Sequence, residues 1–142
     1  MLFFRKWAAL LSMALTLAAG LAHAEERPET ADKVIAYEGE QGVKVWTLRI
    51  GARSEHQALV QLEGVDHDWN MRIQKMNVDK TARDTRYSTM VDGQKFVVLI
   101  VQNGWGELYL PGEAQTLNVG YDEYLSSQGN AGAFLTDYLK AK

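Results

Sequence analysis

The chain has 142 residues, 15 Lys and Arg against 18 Asp and Glu, and no cysteine. That length suits one hydrophobic core rather than two. The missing cysteine excludes thiol nucleophiles, disulfide staples, iron–sulfur ligation and thiolate zinc, and the acidic balance argues against nucleic acid or an anionic membrane surface as a partner.

Arg5 and Lys6 precede an apolar run from Trp7 to Leu21 that ends in Ala22-His23-Ala24 before Glu25-Glu26. A charged start, an apolar middle and small residues three and one before the cut are what a signal peptidase reads, so residues 1–24 are expected to be a signal peptide. Its removal leaves 13 basic against 18 acidic side chains. Export without disulfides points to the bacterial periplasm, or to secretion beyond it, and to no membrane anchorage once the leader is gone.

Residues 25–32, charged and carrying Pro28, read as a flexible lead-in, and residues 33–142 as a single β-rich domain. Lys33–Tyr37 is a short strand candidate, followed by a polar loop with two glycines. Val43–Ile50 puts Trp46, Leu48 and Ile50 on one face and Val45, Thr47 and Arg49 on the other. After a turn at Gly51–Ser54, Ala58, Val60 and Leu62 alternate with Gln57, Gln61 and Glu63, the pattern of a strand with one wet side.

Gly64–Asn70 is irregular and reads as a loop. Met71–Asp79 has Ile73 out of phase with Met76 and Val78, which calls for a bulge or an edge. From Thr85 to Tyr121 the pattern is a four-stranded meander. Asp92-Gly93, Asn103-Gly104 and Pro111-Gly112 supply its turns, and its most apolar strand is Phe96–Val101. In that strand, strict alternation would send Phe96, Val98 and Ile100 one way and Val97, Leu99 and Val101 the other.

Past Tyr121 the period becomes helical. Asp122–Gly129 suggests a short turn of helix, and Asn130 caps a helix carrying Ala131, Phe134, Leu135, Tyr138 and Leu139 on one stripe. The expected fold is mainly β: an antiparallel sheet of about seven or eight strands, curled into a small barrel or sandwich, with one C-terminal helix laid on the sheet or plugging an end.

Motifs of chemistry are sparse. No Gly-x-Gly-x-x-Gly or Walker loop is present to hold a nucleotide, no serine sits in a nucleophile elbow, and no cofactor is expected. Asp66-His67-Asp68, with His56 or Glu63, offers imidazole and carboxylate for a divalent metal. Adjacent residues diverge, however, the spacing matches no metal motif, and Asp-rich loops commonly cap their own turns, so no metal is assigned. Arg53, Arg72, Arg83 and Arg86 are scattered along the chain and read as solvated charges.

The aromatic residues point toward binding, because large rings are the usual anchors of recognition. Trp46 is in phase with Leu48 and Ile50 and belongs to the core. Trp69, beside the Asp66-His67-Asp68 loop, and Trp105, after a hairpin turn, are the candidate binding residues, together with Asp66, His67 and Asp68. The first functional expectation is a non-catalytic periplasmic binding protein, an inhibitor or immunity-type protein that caps a basic periplasmic or extracellular enzyme. The alternative is a small β-barrel carrier of an apolar ligand, with a metal-binding protein or enzyme behind both.

Overall fold

Two turn dipeptides set the local geometry of the second half of the chain. Asp92 and Gly93 have φ of 51° and 79°, and Asn103 and Gly104 have 50° and 82°. Positive φ at both central residues gives a hairpin turn whose twist matches that of its strands. In the computed structural model, which describes residues 27–142, these turns lie within a continuous antiparallel meander. The expected leader lies outside the described residues.

The strands are β1 (Ile35–Gly39), β2 (Lys44–Ile50), β3 (Gln57–Glu63), β4 (Ile73–Lys80), β5 (Thr85–Val91), β6 (Gln94–Gln102), β7 (Trp105–Leu108) and β8 (Leu117–Tyr121). Each pairs with the next, and β8 returns to β1 through Tyr37 opposite Tyr121, Glu38 opposite Gly120 and Gly39 opposite Val119. The result is a closed eight-stranded barrel, which decides between the barrel and the sandwich. Closure leaves no unpaired sheet edge.

Inward-facing Val45, Val60, Leu62, Met76, Leu99, Leu108 and Val119 fill the barrel and are at most 2% exposed. Strict alternation fails in β6. Tyr87 pairs with Leu99 but Ser88 pairs with Val97, so Val98 is an extra residue in the ladder. A bulge of this kind switches the phase of the strand. Phe96 and Val98 therefore join the same interior cluster as Leu99 and Val101, and the single-phase expectation for this strand is corrected.

A second apolar cluster lies on the outer wall. Trp46, Leu48 and Ile50 of β2, Leu59 of β3 and Ile73 of β4 face outward, where a lone barrel would meet water. The helix α2 (Ala131–Ala141) covers them with Phe134, Leu135, Tyr138 and Leu139. Asn130 caps it, its Oδ1 accepting from the Ala133 amide at 2.9 Å. The helix is thus laid on the sheet and does not plug an end. Before it, α1 (Glu123–Gln128) packs on β1, buries Leu125, and places the Ser126 hydroxyl to accept from the Ala36 amide at 2.8 Å.

The stretch expected as a flexible lead-in is tied down where it is described. The Ala31 amide donates to the Arg49 carbonyl at 2.9 Å, the Gly51 amide to the Glu29 carbonyl at 2.7 Å, and the Arg27 guanidinium to Gly132 and Thr136 on α2. The end of β2 extends beyond its pairing with β1, and these residues satisfy the backbone groups left over. No described helix is long and apolar enough to cross a membrane.

Candidate functional site

The two ends of the barrel differ. One is sealed by the loop between β3 and β4. Gly64 begins it with φ of 76° at a point where a Cβ would run into the Gly42 carbonyl, so the chain passes there only as glycine. Val65 then turns inward with Val43 and Leu110. Trp69 packs edge-to-face on Phe96, with ring centroids 6.2 Å apart, and against the interior cluster. His67 fastens the loop. Its Nδ1 accepts from the Trp69 amide at 3.1 Å, which leaves the ring proton on Nε2 to donate to the Pro111 carbonyl at 2.9 Å.

The residues singled out from sequence are therefore split. His67 and Trp69 are half-buried parts of this seal, while Asp66 and Asp68, on either side of His67, are exposed to solvent. Trp105 lies elsewhere, 71% exposed on the outer wall against Gly120. His56 is at the other end of the seven-residue β3, roughly 20 Å away at strand rise, so it cannot join His67 on one ion. Glu63 is engaged with Lys44 at 3.3 Å. Among the described residues no three His, Cys, Asp or Glu side chains stand close enough to hold a metal.

His67→Ala removes both hydrogen bonds of the seal. The expected cost is about 1–2 kcal/mol in urea unfolding, with the fold retained. A change below a few tenths of a kcal/mol would show that the loop is held by its apolar residues alone.

The opposite end is open, and the sequence of inward residues along each strand shows where filling stops. On β4, Met76 is 2% exposed, Val78 is half-buried and Lys80 is exposed. On β1, Tyr37 is 6% exposed, but Ile35, which also faces inward, is 44% exposed. On β6, buried Leu99 is followed by half-buried Val101. Ile35, Tyr37, Val78, Lys80 and Val101 line a cavity of about 530 Å³ that opens at this end. That volume is in the range of small-molecule sites, about 300–1,000 Å³.

The walls are of three kinds. Ile35, Ala58, Val78 and Val101 give an apolar surface; Tyr37, Tyr87 and Thr47 supply hydroxyls; and Lys33, Arg49, Arg53 and Lys80 stand around the opening with His56. Burial, and then the neighbouring Tyr87 and Tyr121, push the Tyr37 phenol well above its usual range. Burial raises Tyr87 too, partly offset by the neighbouring Thr47 hydroxyl. Both phenols thus stay protonated and act as neutral donors at ordinary pH. Among the described residues, no carboxylate lines the cavity.

Sequence reasoning missed this site. From sequence, Arg53 reads as a solvated charge, and Lys33, Arg49 and Lys80 only as members of strands or connections. The one local signal was Arg49 in phase with Val45 and Thr47, an ionic residue on an inward face. No protein-family model, no curated protein and no solved structure matches the chain.

Proposed function

We propose that this protein is an exported binding barrel that carries a small apolar ligand in its open end, and that it has no chemistry of its own. The observation that supports the reading is the half-filled interior: apolar side chains of four strands face a space that the chain does not occupy, while the other half of the same barrel is packed to below 2% exposure at Val45, Val60, Leu99 and Leu108. Native interiors are close-packed, so an apolar space of this size left open at one end is a feature of ligand sites rather than of cores.

The expectation of an inhibitor gripping a basic enzyme through Gly64–Asn70 has less support. The ring that would anchor such a contact, Trp69, is engaged in closing the barrel.

The test is titration of the purified chain, leader removed, with a fluorescent neutral lipophile such as N-phenyl-1-naphthylamine, followed by displacement with 1-dodecanol. Saturable enhancement at one probe per chain, reversed by the alcohol, is the expected result. No enhancement, from protein whose native mass spectrum carries no co-purified ligand, would overturn the reading.

A further inference from the structure

The open end carries a second signal, independent of its apolar walls. Outside the leader the chain is acidic, yet Lys33, Arg49, Arg53 and Lys80 gather around one opening. The ion pairs among the described residues are Lys44–Glu63, Arg86–Asp84 and Lys95–Asp79, and none of them uses these four cations. Arg49 is the most telling. It occupies an inward position on β2, one step toward the opening from buried Thr47, and its side chain is partly withdrawn from water. A guanidinium drawn into a barrel without a counter-charge loses hydration and gains nothing in return. Four like charges around one mouth also repel one another.

An anion bound between them removes both costs. We infer that the ligand is a single-chain amphiphile with an anionic head, a carboxylate or a phosphate, whose alkyl chain lies along Ile35, Val78 and Val101 and whose head is held by Arg49 and Lys80 at the opening. The inference rests on the reading of the barrel as a carrier and adds the polarity of its cargo. The guanidinium offers a planar fork that matches either head, and Lys80, at the end of β4, adds a mobile point charge. Tyr37 and Tyr87, held neutral, donate hydrogen bonds without adding charge below the head.

The experiment compares probes of equal chain length on the same protein by isothermal titration: dodecanoate, dodecyl phosphate, 1-dodecanol and dodecyltrimethylammonium. An anionic probe binds at least about tenfold tighter than dodecanol, the strength of one or two charge-assisted hydrogen bonds, and dodecyltrimethylammonium binds most weakly. The tighter of the two anions identifies the head. Arg49→Gln and Lys80→Gln each weaken the anion about tenfold and leave dodecanol within about twofold, which also shows that the variants fold. Arg72→Gln, an equal loss of charge at the sealed end, changes neither. Added salt weakens the anions and spares the alcohol. Equal affinity for dodecanoate, dodecyl phosphate and dodecanol, or anion binding indifferent to Arg49→Gln and Lys80→Gln, overturns the assignment while the carrier stands. Binding of none of the four overturns the carrier and this assignment together.

Discussion

On the proposed carrier reading, Val78→Trp abolishes ligand binding. Val78 faces the cavity from β4 and is half-buried, so the indole has only the open space to enter. An alkyl chain displaced from the burial of about four methylenes forfeits about 3 kcal/mol, on the order of a hundredfold in Kd. Stability moves the other way or not at all, because the ring fills a void that the native chain leaves open. The measurement pairs the fluorescent-probe titration with urea unfolding of the same preparation. Loss of binding with an unchanged or higher urea midpoint is the expected pair. Undiminished binding would place the ligand outside the barrel, and a collapse of stability would mean that Val78 belongs to the packed half.

Leu135→Ala separates stability from binding in the opposite sense. Leu135 is 1% exposed, at the centre of the cluster that α2 makes with Val34, Leu48, Ile50 and Leu59 on the outer wall. Truncation of a buried leucine costs about 2–5 kcal/mol, the transfer of the lost methyls plus the void left behind. Truncation after Gly129 costs more, since Leu48, Leu59 and Trp46 would then face water. The cavity is lined by strands, by the segment before β1 and by Arg53 and His56 of the β2–β3 turn, and no residue of α2 contributes to it. Protein that remains folded at low temperature therefore keeps its affinity for the probe. Release of ligand by Leu135→Ala at a temperature where the barrel is intact would require a helix that closes the opening, which is the arrangement a plugging helix would have produced.

How much of this was readable along the chain differs from element to element. The hairpins at Asp92-Gly93 and Asn103-Gly104 and the helix cap at Asn130 depend on residues within three positions of one another, and all three form as their chemistry requires. The helical stripe from Ala131 to Leu139 was equally plain, but its surface was not, because a stripe states that something is covered and not what. Leu59 was the trace left on the other partner: an apolar residue on the supposedly wet side of β3, explained only when α2 lies over it. The bulge at Val98 was hidden for a related reason. In a strand apolar on both faces, a change of phase alters no residue type and leaves no mark in the pattern.

The candidate site divides along the same line. Trp69 and His67 stood out because a ring and an imidazole in a polar loop resemble a contact surface. Their partners, Phe96 and Pro111, lie more than twenty residues away and turn that loop into a seal. The cations of the opening are spread from Lys33 to Lys80 and look unrelated until β1 through β4 bring them to one end of the barrel. By itself the sequence determined the turns, the strand and helix periods, the helix cap and the acidic, cysteine-free chemistry of the chain, since each of these is set by neighbours in sequence. The closure of β8 on β1, the choice of which end is filled, and the gathering of four positive charges around an apolar cavity were decided only by tertiary structure, because they depend on pairings between strands remote in sequence that no local pattern encodes.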